Sequence, residues 1–308
     1  MKDYAVLIAV FLLLFGSIQL EVSGITPPSL GYVFGGVVIA AGFFAYRRHR
    51  SAYVRSMLGT VVGVQLLFQV VLPYWIFSQG TALNLTWPHY PDVLWATGYL
   101  ALYYFVLSFV VVPLLVLLFG RRAWCSFACM LGALAETLGD RYRTRGTKAR
   151  ALPRGFVILK WVTLAGTAAV TVPALAGHIE EVGAFLWFYL IIFVFILRAL
   201  LSLAVNIICM PRLGTRIWCR YFCPQGLVLG LLSRISRFAL IRNVDLCKNC
   251  GVCNQHCSMA LDISGGPAVN RSGDCFGCGV CVEVCPRNAL SMTTDIATAR
   301  KKAETLRV

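Results

Sequence analysis

The sequence predicts an α-helical membrane protein with six transmembrane helices, including a duplicated helical hairpin, followed by a small cysteine-rich α+β domain. Three observations lead to this prediction: long apolar segments, a motif that is repeated among them, and 13 cysteines grouped at short intervals. Of the 308 residues, 58% are hydrophobic and only 13% are charged. Ordinary soluble domains are about one-quarter charged, and charged side chains are costly in a bilayer core, so this composition favours a membrane protein.

Six segments have the length and apolar character of membrane-spanning helices, which need about 20 residues. They are residues 4–20, 29–46, 57–78, 94–119, 156–176 and 183–206. Lys and Arg are concentrated in the connections 47–55 and 121–154 and are absent from the connections 21–28, 79–93 and 177–182. By the positive-inside rule both termini are cytoplasmic, which predicts a multi-pass protein of the bacterial inner membrane in contact with membrane lipid. As an alternative, the first segment is a cleaved signal peptide, although no small-x-small cleavage site follows it.

The composition divides the chain into four parts. Residues 1–56 form an N-terminal transmembrane hairpin, residues 57–242 a duplicated four-helix transmembrane domain, residues 243–290 the cysteine-rich domain and residues 291–308 a tail. Residues 227–242 place three arginines among leucine and isoleucine, which suits a helix lying on the membrane surface. The net charge of +15 comes largely from residues that flank apolar segments, so it indicates topology and not nucleic-acid binding.

An internal repeat lies in the predicted membrane domain. The pattern Arg122-x-Trp124-Cys125-x3-Cys129-x2-Gly132 recurs 94 residues later as Arg216-x-Trp218-Cys219-x3-Cys223-x2-Gly226. Two repeats in the same orientation imply a pseudo-twofold axis, and cysteines four residues apart share one face of a helix. The axis would bring Cys125, Cys129, Cys219 and Cys223 together as a third iron–sulfur centre or a copper or zinc site. The alternatives are redox dithiol pairs or structural cysteines, and Met130 in place of Pro224 makes the copies unequal.

The strongest chemical signal lies in the cysteine-rich domain. Cys247, Cys250, Cys253 and Cys257 form a C-x2-C-x2-C-x3-C run, and Cys275, Cys278, Cys281 and Cys285 form a second run that ends in Pro286. This is the bacterial pattern for two [4Fe–4S] clusters, in which the fourth cysteine of each run binds the other run's cluster. Zinc sites instead show two separated cysteine pairs. The sequence therefore predicts a dicluster ferredoxin domain.

The swapped pattern specifies the ligands of each cluster. One cluster takes Cys247, Cys250, Cys253 and Cys285, and the other takes Cys275, Cys278, Cys281 and Cys257. Glycines within the runs suit a backbone that wraps closely around inorganic sulfur. The first run has Ser258 where the proline would be, which leaves the ligands unchanged.

Several polar residues have two interpretations. Arg198 lies within an apolar segment and is either a quinone or cluster partner or a side chain that reaches the membrane surface. His89, His178, Glu180 and Glu181 are either acceptors of quinol protons or solvated loop residues. The four histidines lie outside the centres of the spans, which argues against a bis-histidine haem. Cys209 is interpreted as a small buried apolar side chain.

The repeated Trp-Cys-x3-Cys motifs and the eight ferredoxin cysteines resemble the NapH/MauN family of membrane polyferredoxins. NosR and CcoG share the same core, and the resemblance covers most of residues 57–290. It implies quinol-linked electron transfer to periplasmic redox enzymes, or reductive help in assembling metal centres. The chain departs from the family in having six predicted spans where NapH has four. It also lacks the flavin domain of NosR and the immunoglobulin-like domain of CcoG.

The sequence thus predicts a quinol dehydrogenase subunit. Its predicted partners are the quinone pool and other redox subunits, such as a periplasmic reductase or the iron–sulfur or cytochrome partner of that reductase. The alternative function, which CcoG suggests, is a reductive assembly factor for a copper or iron centre of a respiratory enzyme.

Overall fold

The described part of the chain consists of several separate ranges. The computed structural model describes residues 2–22, 29–68, 70–71, 106–151, 158, 160–162, 164–165 and 201–294. The predicted connections 79–93 and 177–182, and most of the predicted fifth and sixth spans, lie outside these ranges. His89, His178, Glu180, Glu181 and Arg198 therefore lie outside the described residues as well.

Three helices form the N-terminal part: α1 (Lys2–Val22), α2 (Ser29–Arg48) and α3 (Ala52–Leu66). Helix α2 packs against both α1 and α3. Their apolar residues are buried together with residues of both repeat copies in one core, which includes Leu7, Leu14, Phe34, Val38, Met57, Val61, Ala133, Leu134, Leu203, Ile207 and Met210. The N-terminal helices thus pack on the repeats through apolar side chains that are buried away from solvent.

The prediction of six transmembrane helices is wrong. Within the described ranges, no helix combines the length and the apolar character that crossing a membrane requires. Helix α3 ends at Leu66, inside the predicted third span. In the described part of the predicted fourth span, the regular helix is Val112–Phe119, and a π-helical segment precedes it. Apolar runs also fill protein cores, which hydropathy does not distinguish from spans. The predicted multi-pass location in the inner membrane is overturned by the same finding.

In both repeat copies a helical segment is followed by a glycine turn, a segment with the cysteine motif and a further helix. The first contains π-helical segments Leu107–Val111 and Ala123–Ala128, helices α4 (Val112–Phe119) and α5 (Met130–Glu136), and a 3-10 helix Asp140–Ala151. The second contains α6 (Leu203–Ile208), α7 (Met210–Leu213), α8 (Ile217–Tyr221) and α9 (Pro224–Arg234). Each copy turns at a glycine with positive φ before the cysteine motif, Gly120 at 78° and Gly214 at 84°. Glycine is suited to this turn because it lacks a Cβ.

The C-terminal domain combines short helices with a three-stranded antiparallel sheet. Its strands are β1 (Ala239–Arg242), β2 (Val269–Asn270) and β3 (Leu290–Thr293), in the order β2-β1-β3, and its helices are α10 (Val252–Gln255) and α11 (Val280–Glu283). Leu240 lies opposite Asn270 on one side and Met292 on the other. The single surface helix expected over 227–242 is therefore wrong: α9 ends at Arg234, and the last four residues are the central strand, held by partners distant in sequence.

Candidate iron–sulfur sites

The first group of thiols lines one open cavity. It consists of Cys247, Cys250, Cys253 and Cys285, called the first tetrad below. Burial raises the pKa of the Cys253 thiol, and the thiols of the other three members raise it further. Gly251 lines the same cavity with φ of +73°, which a residue with a side chain rarely adopts. The cavity thus presents the four thiol donors that a [4Fe–4S] cluster needs.

The second tetrad consists of Cys257, Cys275, Cys278 and Cys281. Burial raises the pKa of Cys281 well above its usual value, and each of the other three thiols adds to the rise. Burial likewise raises the pKa of Cys275 to about 12. Because a Cβ on Gly279 would lie 2.3 Å from Cδ1 of Tyr53, helix α3 can pack directly on this loop only while residue 279 is glycine. Tyr53 also donates a hydrogen bond to the carbonyl oxygen of Gly277, at 2.9 Å. The second tetrad is therefore enclosed by the N-terminal part.

Each of these tetrads joins three cysteines of one run with the fourth cysteine of the other. The two fourth cysteines also have equivalent surroundings. The Leu261 backbone N–H donates to Sγ of Cys257 at 3.5 Å, and the Ala289 backbone N–H donates to Sγ of Cys285 at 3.4 Å. The grouping has the composition that the swapped pattern expects, while ligation itself stays a prediction.

The repeat tetrad consists of Cys125, Cys129, Cys219 and Cys223, which come from both copies. Burial raises the pKa of Cys223, and the other three thiols raise it further, so all four are close enough to interact. Burial raises the pKa of Cys129 to about 12. In both copies the second cysteine precedes a helix, and the N–H of Gly226 donates to Sγ of Cys223 at 3.4 Å. The tertiary structure thus brings the four repeated cysteines together.

Nowhere in the described ranges are three His, Cys, Asp or Glu side chains close enough together to hold one metal ion. This applies to all three tetrads. A [4Fe–4S] cluster binds each thiolate at a different iron atom, so its ligands surround a larger volume than the ligands of one ion do.

Two buried arginines lie beside the repeat tetrad, on the ring of Phe276. Arg216 places its guanidinium carbon 3.9 Å from the ring centroid, and Arg121 places its own at 4.3 Å. Arg216 donates to the carbonyl oxygen of Cys125, to the hydroxyl of Ser126 and to the buried carboxylate of Glu136. It does so from a left-handed backbone with φ of 65°. Buried cations next to thiols suit a centre whose ligands are thiolates.

Sequence reasoning missed Arg121, Phe276 and Glu136 at this site. Arg216 belongs to the repeat, but its burial is visible only in the structure. A charged residue next to a repeated cysteine motif was the available signal for Arg121, and Phe276 carried none beyond its place beside Cys275. Cys209, which was interpreted as a buried apolar side chain, is only partly buried and packs against an apolar cluster that contains Ile217 and Tyr221.

Two protein-family models match the parts of the chain that contain the three tetrads. A family model described as a 4Fe-4S binding domain matches residues 102–148 and 197–243, one match for each repeat copy. A model described as a 4Fe-4S dicluster domain matches residues 239–286. The second match begins with strand β1, in agreement with the structure.

Several curated proteins are similar to the chain over part of its length. The putative electron transport protein YccM of Escherichia coli (strain K12) is 29% identical over 209 residues, which are 64% of this chain and 57% of that protein. The methylamine utilization ferredoxin-type protein MauN of Paracoccus denitrificans is 32% identical, over 53% of this chain and 59% of that protein. The ferredoxin-type protein NapH of E. coli is 26% identical, over 67% of this chain and 74% of that protein. The chain thus spans less than two thirds of the first two relatives. No solved structure gives a significant match.

Proposed function

The chain belongs to the NapH/MauN-like family of ferredoxin-type iron–sulfur proteins, and we propose that it acts there as a quinol-oxidising electron-transfer subunit. It carries two [4Fe–4S] clusters, which transfer one electron at a time. Oxidation of one quinol releases two electrons and two protons. Two one-electron centres in one chain match this stoichiometry, with the protons passing to solvent.

The continuous packing of the three tetrads is the observation that carries this proposal. Cys125 and Cys219 of the repeat tetrad lie in one apolar cluster with Phe276, and Cys257 of the second tetrad packs against that cluster. Cys257 also packs in the core of the C-terminal domain with Cys253 and Cys285 of the first tetrad. Side chains in contact therefore connect all three groups of thiols, which supports an electron path along this line.

The swapped ligand sets are proposed to hold the two clusters. Purified without oxygen, the protein should contain about eight irons from them, plus any from a third centre. Cys285→Ser should damage the cluster nucleated by Cys247, Cys250 and Cys253, while Cys257→Ser damages the other. Cys209→Ser, which changes a cysteine outside the tetrads, is the matched control. Loss of only the 275–281 cluster in Cys285→Ser would show that ligation is not swapped.

The repeat tetrad is proposed to hold a third iron–sulfur centre. Its support is the convergence of the four thiols together with a 4Fe-4S family match on each copy. If all four thiolates bind one centre, each of the four single Ser variants should lose the same centre and keep the dicluster signals. Iron content and electron paramagnetic resonance spectra measure this, with oxygen excluded to prevent thiol oxidation. An unchanged iron inventory in all four variants would leave the cysteines as structural or dithiol groups.

The first tetrad is proposed to be the contact point for the redox partner. Cys250, Lys248 and Arg287 are exposed at the cavity that this tetrad lines. Basic residues at the rim favour an acidic partner, and such pairing accelerates association at low salt. With an acidic ferredoxin as probe, Lys248→Glu with Arg287→Glu should slow electron exchange and weaken its salt dependence. Arg234→Glu, an exposed arginine outside the cavity lining, should have little effect. Equal rates of electron exchange in the wild type and in the variant with Lys248→Glu and Arg287→Glu would place the contact elsewhere.

Exchange of electrons with a quinone analogue tests the function as a whole. The full chain, reduced with dithionite and freed of excess reductant without oxygen, should be oxidised by the analogue at a rate that saturates with its concentration. Excess quinol analogue should in turn reduce the clusters. A rate that rises linearly without saturation would indicate chance collision and argue against a quinol site. Tight stoichiometric copper binding at the repeat tetrad, without quinone exchange, would favour the assembly-factor function instead.

A further inference from the structure

Arg121 is a completely buried cation that is only partly hydrogen bonded. Its Nη1 donates to the carbonyl oxygen of Gly273 at 3.0 Å and to Oδ1 of Asp274 at 3.3 Å. Its Nε and Nη2 have no hydrogen-bond acceptor of normal geometry among the described residues, although neither atom touches solvent. Burying a donor of a charged group without an acceptor costs free energy, typically about 1–3 kcal/mol or more. These two donors, which have no acceptor of normal geometry, therefore need an explanation.

The unsatisfied side of Arg121 faces the repeat tetrad. A Cβ on Gly226 would lie 2.3 Å from Nη2, so the guanidinium occupies the space that this glycine leaves open. The N–H of Gly226 donates to Sγ of Cys223, which puts Nη2 beside that thiol's own hydrogen bond. Burial opposes the charged form of Arg121, but the Cys125 thiol, Asp274 and the Cys219 thiol outweigh burial and raise the pKa of Arg121, and a hydrogen-bond interaction with the Cys125 thiol adds to the rise. Both repeat copies thus present thiols to this guanidinium.

Comparison with Arg216 shows what distinguishes Arg121. Arg216 uses Nε, Nη1 and Nη2 as donors and is paired with the fully buried Glu136. The carboxylate that pairs with Arg121, Asp274, is 56% exposed and accepts only from Nη1. Lys160 is buried in the same region, where burial and Arg121 lower its pKa. Among the described residues, two buried guanidinium groups thus lie beside the repeat tetrad, and the carboxylate paired with one of them is largely exposed, which favours an anionic group at the tetrad.

We propose that Arg121 donates hydrogen bonds from Nε and Nη2 to sulfur atoms of the iron–sulfur centre at the repeat tetrad and stabilises the reduced form of that centre. This inference rests on the third centre proposed above. Reduction adds one negative charge to a centre of thiolates, and hydrogen bonds to the sulfurs and nearby positive charge both favour that state. Arg121 is thus a positioning residue for electron transfer, since it sets the potential at which the centre accepts an electron.

Redox titration of the full chain under anaerobic conditions, followed by electron paramagnetic resonance, tests the proposal. In Arg121→Gln the reduction equilibrium of the third centre should shift at least tenfold toward the oxidised form, which is about 59 mV for a one-electron couple. Arg121→Lys keeps the charge and loses the planar set of donors, so its shift should have the same sign and be smaller. Asp274→Asn removes the exposed partner of Nη1 and serves as the matched control. Its shift in potential should be smaller than the shift in either Arg121 variant.

The outcomes separate this inference from the third centre itself. A wild-type protein with only about eight irons and no third signal overturns both, because the dicluster alone supplies that number. A third centre that keeps its wild-type potential in both Arg121→Gln and Arg121→Lys overturns the role of Arg121 and leaves the centre standing. If Arg121→Gln does not fold, Arg121→Lys tests the proposal alone. A third centre with the wild-type potential in Arg121→Lys would then contradict the donor role. A shift in the expected direction supports it.

Discussion

The two copies of the repeat have the same cysteine motif and different buried charges around it. In sequence Arg122 corresponds to Arg216, but Arg216 is completely buried while Arg122 lies partly exposed against Tyr53 and Phe238. The buried arginine of the first copy is Arg121, which packs on the same ring of Phe276 as Arg216 does. The cysteines therefore occupy equivalent positions in the two copies. The buried arginines do not, because Arg121 lies one residue before Arg122, the position equivalent to Arg216.

A local difference in winding accompanies this shift. The first motif lies in a π-helical segment, Ala123–Ala128, whereas the second lies in helix α8. A π-helical turn takes up more residues than an α-helical turn. Beyond the motif, Glu136 of the first copy corresponds to Gly230 of the second. Each buried arginine reaches the helix of the other copy at this position: Arg216 bonds to Glu136, and Arg121 lies over Gly230. Identical motifs thus acquire unequal surroundings through residues outside them.

Replacement of Glu136 should give the largest effect on stability. Glu136 is fully buried and accepts hydrogen bonds from Arg143 and Arg216. Burial opposes its charge, yet the two arginines outweigh that effect and lower its pKa. Glu136→Gln leaves the buried guanidinium of Arg216 without its anion and leaves Arg143 paired with Asp140 alone, which should cost about 3–5 kcal/mol. The midpoint of urea denaturation without oxygen measures it.

The matched control for this change is Asp274→Asn, which removes the carboxylate paired with Arg121. Because Asp274 is 56% exposed, the expected cost is below about 1 kcal/mol. Equal losses in the two variants would contradict the difference in burial between the two ion pairs.

The motif glycines should differ in their tolerance of a methyl group. A Cβ on Gly132 would lie 1.8 Å from the carbonyl oxygen of Cys125, which is backbone and cannot move alone. A Cβ on Gly226 would lie 2.3 Å from Nη2 at the end of the Arg121 side chain, and its nearest backbone contact, the carbonyl oxygen of Cys219, would be 3.1 Å away. Gly132→Ala should therefore cost about 1–3 kcal/mol and Gly226→Ala less. Urea denaturation compares them, and greater damage in the second copy would reverse the order expected from the structure.

The stability conferred by His49 should decrease as pH rises. His49 joins the first copy to the C-terminal domain, with Nε2 2.9 Å from Oδ1 of Asp140 and Nδ1 2.6 Å from Oε2 of Glu283. Burial disfavours its charge, but both carboxylates outweigh burial and raise its pKa above 6.5. The stabilisation is fully present below about pH 6.5 and is lost as pH rises through the higher pKa of the folded state.

One proton limits this effect to about 1.4 kcal/mol per pH unit. Urea midpoints at a series of pH values from 6 to 9 measure it, and His49→Gln should remove the dependence. A midpoint that rises over this range in wild type and not in His49→Gln would contradict the sign.

Arg122→Gln should have the smallest effect of these changes. Arg122 donates from Nε to the carbonyl oxygen of Phe119 at 3.1 Å and lies 4.9 Å from the centroid of the Phe238 ring. Such contacts at a partly exposed site contribute below about 1 kcal/mol. Arg216→Gln removes the corresponding arginine of the second copy and should cost several times more. Similar urea midpoints for the two variants would show that the copies are equivalent after all.

The motifs that are predicted to bind iron could be identified from the sequence because their spacing is local. Cysteines three and four residues apart in one run present thiols to a common volume whatever surrounds them, so the dicluster domain was expected from spacing alone. Fold features that depend on distant partners were less accessible. From sequence alone, residues Ala239–Arg242 are predicted to belong to an amphipathic helix. The structure shows that they form strand β1, which pairs with β2 and β3.

Hydropathy along the chain led to the wrong architecture for a related reason. An average over a window records how apolar a segment is and does not record what covers it. In the structure, Leu7, Leu14, Phe34 and Val38 are covered by residues of α3 and of both repeat copies. The regular helix in the described part of the predicted fourth span is confined to Val112–Phe119, because a π-helical segment precedes it and Gly120 ends it.

The sequence alone was sufficient to identify the cysteine runs, the 94-residue repeat and the iron–sulfur chemistry, because each depends on residue types at fixed short spacings. The tertiary structure was needed to bring Cys125, Cys129, Cys219 and Cys223 together and to place Arg121, which lies outside the repeat pattern, on the ring of Phe276. It was also needed to pack Phe276 in one cluster with cysteines of the repeat tetrad and of the second tetrad. These relations join residues as distant in sequence as Arg121 and Phe276, and side-chain burial and packing across such distances are set by the folded chain as a whole.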